Sequence, residues 1–303
     1  MKNDCSSRPE ARRHRLLASL DGLSVGDGFG ERCLALSPRR LAERVLPSGP
    51  WLLTDDSVMA GALTWLLLEC EHVDQPRLAQ RFAEEFAHDP WRGYGGGVRR
   101  SLQAIGRGAA WREVATAAFG GLGSCGNGSA MRVAPLGAFF ADDLDLVVAQ
   151  AALSAEVTHL HPEGTAGAVA VAVAAALQAR GANQFEALLN GTIERTPEGK
   201  TRAGLRNARE LGAAADPHHA AVALGNGADV TCQRTVPFCI WQAARCIGDF
   251  PRALWETVAV GGDLDTNCAI VGGILAAGET EVPAEWRESR EAVEWLWNRP
   301  VSR

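Results

Sequence analysis

The sequence predicts an all-α protein, and three observations support this prediction. Alanine and glycine are abundant, with 33 glycines in 303 residues, and aromatic residues make up only 6%. This composition suits closely packed helices better than sheets. Apolar residues recur at helical spacing in several long segments, and segments that alternate polar and apolar residues between hairpin turns are absent. We expect one compact domain over residues 15–300, preceded by a flexible segment over residues 1–14.

The clearest helical pattern covers residues 55–71, where apolar residues recur three to four positions apart. Thr54 precedes this segment as its predicted N-cap, and acidic residues occupy the first turn. Residues 165–180 alternate valine and alanine in part, which is also typical of a strand. Their length, their alanine content and the glycine that follows favour a helix. Further helices are predicted over residues 15–25, 238–247 and 265–277.

Three glycine-rich segments are predicted to be loops, because glycine destabilises the interior of a helix. They are residues 26–30 (GDGFG), 88–100 (HDPWRGYGGGVRR) and 120–132 (GGLGSCGNGSAMR), the last leading into a helix. His218 and His219 follow a proline in a polar stretch, so we assign them to a surface loop.

The charge and the apolar pattern exclude several classes of protein. The net charge is −6, which argues against a nucleic-acid footprint. No apolar run reaches the roughly 18 residues of a membrane span, and the first residues lack the apolar segment of a secretory signal. Eight cysteines are scattered without a CxxC pair. This pattern predicts a reduced, cytoplasmic protein without a disulfide framework.

Two groups of acidic and hydroxyl residues stand at predicted helix starts. The first acidic cluster is Thr54, Asp55, Asp56 and Ser57, and the second acidic cluster is Asp263, Asp265 and Thr266 after two glycines. Helix capping explains either cluster alone. Together they offer the oxygen ligands that Mg²⁺ and Mn²⁺ prefer. Two facing helix starts could hold a pair of ions roughly 3.5–4 Å apart. No His and Cys set has the spacing of a zinc site.

The glycine-rich segments and the histidines each allow two interpretations. The N–H groups of residues 120–132 could surround a phosphate, or the segment is a plain turn. Tyr94, the sole tyrosine, could stack on a base and line a cleft, or it anchors its loop. His159 and His161 are two positions apart, so a two-histidine metal site is disfavoured. A single histidine that lines a pocket and a buried core histidine both remain open.

Taken in order, the motifs of the chain resemble those of the ADP-ribosylglycohydrolases, the proteins similar to dinitrogenase reductase-activating glycohydrolase. The similarity runs from about residue 15 to about residue 280, and each motif is weak alone, whereas six in one order are highly specific. The motifs are G26-D27-x-x-G30, T54-D55-D56, R92-G93-Y94-G95, G126-N127-G128-S129-A130-M131-R132, T158-H159 and G261-G262-D263-x-D265-T266.

This resemblance implies a compact, orthogonal all-α domain with a binuclear Mg²⁺ site, Mn²⁺ being possible, and it implies a monomer. The metal ligands that it implies are Thr54, Asp55, Asp56, Asp263, Asp265 and Thr266. The residues that it implies for the cleft binding ADP-ribose are Tyr94, Gly95, Gly126, Asn127, Gly128, Ser129, Met131 and His159.

The glycine-rich segments are most similar to the serine-type branch of the family, which removes O-linked ADP-ribose. The arginine-specific branch tends to carry an acidic residue near this loop, whereas residues 93–97 contain none. The serine-type branch also carries a mobile glutamate whose position here is Leu34. Glu31, three residues earlier, would share its face in a helix. The predicted catalytic residues are Glu31 together with one aspartate from each acidic cluster, Asp56 and Asp263.

The expected substrate is an ADP-ribosylated protein or another ADP-ribose conjugate, and the expected reaction is hydrolysis of the glycosidic bond. One alternative is a homologue that binds ADP-ribose without hydrolysing the bond, and another is an arginine-type hydrolase. A two-metal hydrolase of nucleotide sugars or phosphate esters is a further alternative. Phosphoryl transfer usually needs a Lys or Arg clamp, and the chain has only Lys2 and Lys200, with no Arg in either cluster.

Overall fold

The computed structural model describes residues 7–278 and 280–298, and no strand occurs among these residues. Two isolated bridges, between Trp51 and Arg290 and between Gly126 and Thr231, are the extended pairings recorded in this part of the chain. The all-α prediction is therefore confirmed.

The described residues form seventeen α-helices and two short 3₁₀ helices. The first eight are α1 (Ser7–Leu34), α2 (Pro38–Glu43), α3 (Asp55–Cys70), α4 (Gln75–His88), α5 (Gly96–Gly106), α6 (Trp111–Ala117), α7 (Ala134–Phe139) and α8 (Leu144–Glu156). The others are α9 (Pro162–Ala179), α10 (Phe185–Arg195), α11 (Lys200–Leu211), α12 (Pro217–Leu224), α13 (Cys232–Arg245), α14 (Phe250–Ala259), α15 (Leu264–Ala276), α16 (Ala284–Ser289) and α17 (Trp295–Asn298). The 3₁₀ helices are Ala118–Gly121 and Asn127–Ser129.

All five predicted helices are present. Residues 55–71 form α3, and the Thr54 hydroxyl accepts a hydrogen bond from the Asp56 N–H as predicted for an N-cap. Residues 165–180 form most of α9, which is buried along nearly its whole length. The predicted segments 238–247 and 265–277 correspond to α13 and α15, although α13 begins six residues earlier than predicted.

The prediction of a loop at residues 26–30 is wrong, because this segment is the continuous last part of α1. Its glycines serve helix packing instead of a turn. A Cβ at Gly26 would lie 2.1 Å from the Cys268 carbonyl oxygen, and a Cβ at Gly30 would lie 2.3 Å from the Leu264 carbonyl oxygen. Only glycine therefore allows α1 to approach the backbone of α15 this closely.

Two further loop assignments are corrected. His218 and His219 are exposed, as predicted, but they lie in the first turn of α12. Residues 96–100, the end of the segment predicted as a loop over 88–100, begin α5. Helix α1 begins at Ser7, so residues 7–14 are helical. Residues 1–6, Glu279 and 299–303 lie outside the described residues, and the domain boundary at residue 15 stays a prediction.

Packing against α1 places the starts of α3 and α15 beside each other. Helix α1 packs along α15 and also contacts α3, while α9 contacts α7, α8 and α13 at the centre of the molecule. Leu20 and Leu23 of α1 are fully buried against the small residues of these neighbours. No helix of the described chain is both long enough and apolar enough to cross a membrane.

Candidate active site

The two acidic clusters open into the same cleft, which has a volume of about 690 Å³, within the range typical of small-molecule sites. The sequence left open whether the clusters meet in space, and the fold brings them together. The first cluster contributes Asp55 and Asp56, and the second contributes Asp263, Asp265 and Thr266. The glycine-rich segments form other parts of the lining through Gly93, Gly95, Gly96, Gly97, Gly126 and Gly128.

The first acidic cluster is fixed by hydrogen bonds at the start of α3. The Asp55 N–H donates to the Arg92 carbonyl oxygen over 2.6 Å, which ties the loop before α5 to this helix start. Gly93 has φ +87°, and a Cβ there would lie 3.3 Å from Asp55 Oδ1. The loop can therefore pass close to the carboxylate only because this position is glycine.

Asp27, on α1, accepts hydrogen bonds from the first acidic cluster and was not among the predicted site residues. Its carboxylate accepts from the Thr54 N–H at 2.9 Å, the Thr54 hydroxyl at 2.7 Å and the Ser57 N–H at 3.2 Å. The Ser57 hydroxyl donates to the same carboxylate. Asp27 belongs to the GDxxG motif in the sequence, but its role depends on the contact between α1 and α3.

The second acidic cluster is held mainly by side-chain amides. The Asn127 amide donates to Asp263 Oδ2 over 2.7 Å, and the Asp263 N–H donates to the Asn226 carbonyl oxygen over 3.2 Å. Gly262 has φ +90°, and a Cβ there would lie 2.0 Å from the same oxygen. The Asn267 amide also donates to this oxygen, over 2.7 Å. Asn226 was not among the predicted site residues, and no sequence motif pointed to it.

Burial and mutual repulsion raise the pKa values of these carboxylates. Burial raises the pKa of Asp27 and of Asp263 to about 7, and the nearby Asp265 charge adds to both shifts. Burial also raises the pKa of Asp55 and of Asp56, again with a contribution from Asp265. Desolvation and the negative charges of neighbouring carboxylates therefore both favour the protonated form of these acids.

The donor set fits divalent cations that prefer oxygen ligands. Asp56 Oδ1 is buried and has no hydrogen-bond partner, an arrangement that is costly unless another group binds the oxygen. Carboxylate and hydroxyl oxygens from two helix starts are the ligand type that suits Mg²⁺ and Mn²⁺. Among the described residues, no three acidic, His or Cys side chains surround a common point.

A buried chain of hydrogen bonds orients His159 beside residues 126–128, which we call the glycine loop. The Arg132 guanidinium donates to the Thr158 hydroxyl over 2.9 Å, and this hydroxyl lies 2.7 Å from His159 Nδ1. The Thr158 hydroxyl therefore links the Arg132 guanidinium to the His159 ring. Burial lowers the pKa of His159 to about 3. A Cβ on Gly126 would lie 3.3 Å from Nε2, so the neutral ring packs against the loop.

Most of the predicted cleft residues line the cleft, namely Gly95, Gly126, Asn127, Gly128, Met131 and His159. Two do not. Tyr94 is only 3% exposed, and its ring packs edge-on against Phe86 at 5.1 Å. Ser129 is fully buried, and its hydroxyl donates to the Gly164 carbonyl oxygen over 2.8 Å. Their predicted contacts with the substrate stay predictions.

The remaining predicted residues, Thr54 and Glu31, are not among the residues that line the cleft. Thr54 is buried behind the first acidic cluster, where its hydroxyl lies 3.2 Å from Asp56 Oδ2. Glu31 is exposed near the end of α1. Partial burial and the charge of Asp265 raise the pKa of Glu31, which places it within electrostatic reach of the second acidic cluster. Leu34, at the position where the family glutamate was expected, is 56% exposed.

Fold and cleft together define a class of protein, an all-α domain in which two helix starts present carboxylates beside a glycine-rich loop. The family model described as ADP-ribosylglycohydrolase matches residues 8–301. The chain belongs to the ADP-ribosylglycohydrolase family, and the resemblance found in the sequence is confirmed.

Individual relatives support the same assignment. The chain is 34% identical over 277 residues to ADP-ribosylhydrolase ARH3 of Homo sapiens, covering 80% of this chain and 75% of that protein. It is 30% identical over 290 residues to an uncharacterized protein of Archaeoglobus fulgidus, covering 91% of each chain. A solved structure described as an ADP-ribosylglycohydrolase-related protein complex has a TM-score of 0.63 at 24% identity, covering 95% of this chain and 96% of that one. This structure has the same fold.

Proposed function

We propose that this protein hydrolyses the bond between the anomeric carbon of ADP-ribose and a side-chain oxygen of a modified protein, as a serine-type ADP-ribosyl hydrolase. The observation that carries the proposal is the meeting of both acidic clusters and the glycine loop in one cleft. Membership of the family and 34% identity to proteins named ADP-ribosylhydrolase ARH3 support it.

Two Mg²⁺ ions, or Mn²⁺ in their place, are the proposed cofactors. Thr54, Asp55, Asp56, Asp263, Asp265 and Thr266 would hold them, and the unpartnered Asp56 Oδ1 supports this assignment. Such ions bind sugar hydroxyls and lower the pKa of coordinated water. Asp56 and Asp263 then contribute to catalysis through the ions that they hold.

The residues around the glycine loop are proposed to bind and orient ADP-ribose. Nε2 of His159 lies against residues 126–128, and the N–H groups of these residues are near the diphosphate position that we propose. Asn127 has a second role, because its amide holds Asp263. The loop would thereby connect substrate binding with the position of the second acidic cluster.

Glu31 is proposed as the group that transfers the proton. In the hydrolysis, the oxygen of water bonds to the anomeric carbon as the bond to the side-chain oxygen breaks. A carboxylic acid protonates the departing oxygen while the sugar passes through an oxocarbenium-like state, and the resulting carboxylate takes up the proton that the attacking water releases. The raised pKa of Glu31 favours the protonated form that this step requires. The helical course of α1 through this segment supports the predicted position.

The absence of an acidic residue from residues 93–97, at the start of α5, supports an O-linked substrate over an arginine-linked one. An arginine-linked substrate presents a guanidino group, for which a carboxylate is the usual partner. Gly95, Gly96 and Gly97 line this part of the cleft and offer no acid. A serine oxygen does not need a carboxylate partner, and these glycines have no side chains that would obstruct it.

We also propose that the protein acts as a monomer in the cytoplasm. The seven cysteines in the described part of the chain, Cys33, Cys70, Cys125, Cys232, Cys239, Cys246 and Cys268, are free thiols. Free thiols are typical of a reducing compartment.

The proposal is tested with serine-linked and arginine-linked ADP-ribosyl peptides, with released ADP-ribose measured by mass spectrometry in Mg²⁺ and in EDTA. We expect release from the serine peptide only, and we expect both EDTA and Asp263→Ala to abolish it. Asp142→Asn removes an exposed carboxylate paired with Arg12 and Arg15 and is the matched control. Release from the arginine peptide would contradict the O-linked assignment. ADP-ribose binding without release from either peptide would contradict the enzyme assignment.

A further inference from the structure

The segment from residue 91 to residue 112 is strongly basic in an otherwise acidic chain. It contains five arginines (Arg92, Arg99, Arg100, Arg107 and Arg112) and no acidic residue, whereas the whole chain has a net charge of −6. The segment comprises the loop before α5, all of α5 and the start of α6. These elements form one wall of the cleft.

Two of these arginines are exposed, Arg100 within α5 and Arg107 as the C-cap residue directly after it. Arg100 and Arg107 are exposed, as is Gln103 between them, while Leu102 and Ile105 on the other side of the helix are buried. A spacing of seven residues is about two helical turns, so the two charges lie on one face about 10 Å apart along the axis. We refer to Arg100, Gln103 and Arg107 as the arginine face.

One end of the arginine face, Arg100, lines the cleft, whereas Gln103 and Arg107 are not among the lining residues. Arg100 lines the cleft together with Gly96 and Gly97. The other cleft arginine, Arg132, is fully buried and hydrogen-bonded to protein oxygens. A macromolecule whose modified side chain enters the cleft would therefore lay its neighbouring residues near the arginine face.

The charges of the arginine face are not neutralised by the protein. Within the described residues, neither Arg100 nor Arg107 forms an ion pair with a carboxylate, in contrast to Arg92, which pairs with Asp89 and Glu291. Trp91, next to the cleft in the same segment, is 82% exposed. The Arg99 guanidinium lies 5.5 Å from the centre of the Trp91 ring, and aromatic and arginine side chains are enriched at protein interfaces.

We propose that the arginine face binds an acidic segment of the substrate protein, next to the ADP-ribosylated residue. This inference rests on the proposed function, because it assigns the protein part of the substrate. Positive charges over about 10 Å match two or three carboxylates of an extended peptide, whose residues span about 3.3 Å each. Nucleic acid is the weaker candidate, since its phosphates would extend along a longer basic stripe than this acidic chain offers.

The test compares two fluorescein-labelled peptides that carry either glutamates or glutamines beside the same serine, each prepared unmodified and with serine-linked ADP-ribose. Fluorescence anisotropy measures binding of the unmodified peptides, and released ADP-ribose measures hydrolysis of the modified ones. The variants are Arg107→Glu and the double variant Arg100→Glu/Arg107→Glu. The matched control is Arg13→Glu/Arg39→Glu, which changes the net charge equally at exposed positions on α1 and α2.

We expect the unchanged protein to favour the glutamate peptide by about fivefold, a preference that two exposed charge pairs can supply and that salt should weaken. The double variant should lose this preference, the control should keep it, and Arg107→Glu should retain its affinity for free ADP-ribose. Equal binding of both peptides would overturn the inference, as would tighter binding of an oligonucleotide of equal charge. The binding assay uses unmodified peptides, so it tests the arginine face independently of hydrolysis. If neither modified peptide is hydrolysed, that result contradicts the proposed function and leaves the test of the arginine face intact.

A double variant that loses affinity for free ADP-ribose, combined with an unchanged peptide preference in Arg107→Glu, would also overturn the inference. It would show that Arg100 contacts the diphosphate instead of a protein segment.

Discussion

The two acidic clusters have similar sequences but different surroundings. In the first cluster Asp56 is only 1% exposed, and the helix start is fixed by the Asp27 carboxylate and the Arg92 carbonyl oxygen. In the second cluster Asp263 and Asp265 are half-buried, and the amide of Asn127 holds Asp263. The Thr54 side chain caps its helix whereas the Asp263 side chain does not, and the two helix starts present a more enclosed group of carboxylates on one side of the cleft and a more accessible group on the other.

This difference predicts unequal tolerance to substitution. Both clusters line the cleft, but the carboxylates of the second cluster are more exposed than those of the first, so water can more readily replace an oxygen that is lost from the second cluster. Losses in the first cluster should therefore be larger, and groups that position the first cluster should matter even without contact with substrate.

The largest effect is expected for Asp56→Asn. It removes the negative charge of a proposed metal ligand that is only 1% exposed, so we expect a loss in kcat/KM of about 10³-fold or more, and loss of Mn²⁺ binding in calorimetry. Asp265→Asn should lose less, about 10- to 100-fold. Equal losses for the two variants would show that burial does not distinguish the clusters.

The second largest effect is expected for Glu31→Gln, which tests the proposed role of Glu31 as the residue that protonates the departing oxygen. We expect kcat to fall about 10²-fold or more while Mn²⁺ affinity stays unchanged, because the amide cannot donate an acidic proton. Leu34→Gln, three residues away on α1, is the control and should retain activity. Loss of metal affinity in Glu31→Gln would instead make this residue part of the ion site.

A smaller effect is expected for Asp27→Asn. The new amide group would face the N–H and hydroxyl donors of Thr54 and Ser57, and a donor facing donors cannot hold the start of α3. We expect Mn²⁺ affinity to fall about 10- to 100-fold. Ser57→Ala removes one of these donors and should have a milder effect. A fully active Asp27→Asn would show that the first cluster needs no support from α1.

The raised carboxyl pKa values predict how metal stabilises the protein at different pH. Asp27 and Asp263 have folded-state pKa values of about 7, above roughly 3.9 for an unfolded aspartate. Their contribution to the free energy of unfolding is present below about pH 4 and is lost as the pH rises through 7. His159, with its pKa lowered to about 3, gives the opposite slope below roughly pH 6.5.

Urea unfolding in EDTA and in Mg²⁺ between pH 5 and pH 8 separates these contributions, because the His159 slope is common to both conditions. We expect the difference in unfolding free energy between Mg²⁺ and EDTA to grow with pH as the carboxylates ionise. A difference that is constant over this range would contradict metal binding at these carboxylates.

How much the sequence predicts depends on whether a residue acts through its neighbours in the chain or through distant contacts. The acidic clusters were predictable because capping is local, and both occur at the starts of α3 and α15 as expected. The glycines of residues 26–30 led to the wrong prediction of a loop, because a high glycine content is typical of loops, whereas this segment belongs to α1. Gly22, Gly26 and Gly30 recur every four residues, which is the spacing of one helix face, and this spacing was the available signal.

The supporting groups could not be predicted in this way. Asp27, Asn226 and Glu291 are 27, 37 and 236 positions from the cluster residues that they support, and only the tertiary fold brings them there. Local patterns hold no information about such partners. A buried carboxylate or amide becomes recognisable as a partner only when the opposing donor is known.

The smallest effect is expected for Glu291→Gln, which tests the support of the first cluster from the C-terminal segment. The Glu291 carboxylate accepts from Arg92 over 2.8 Å and 2.9 Å and from the Leu53 N–H over 3.3 Å. Arg92 in turn presents its carbonyl oxygen to the Asp55 N–H. Glutamine keeps one acceptor but loses the charge, so the loop should be less firmly held.

We expect Glu291→Gln to raise the Mn²⁺ dissociation constant and lower kcat/KM about threefold each, in keeping with the modest energy of a partly exposed ion pair. Glu294→Gln, an exposed carboxylate of the same segment, is the matched control and should change neither. Glu291→Asp retains the charge and should recover part of the loss. An unchanged metal affinity in Glu291→Gln would show that the first cluster owes its position to Asp27 alone, and that its enclosure comes from α1 without help from the C-terminal segment.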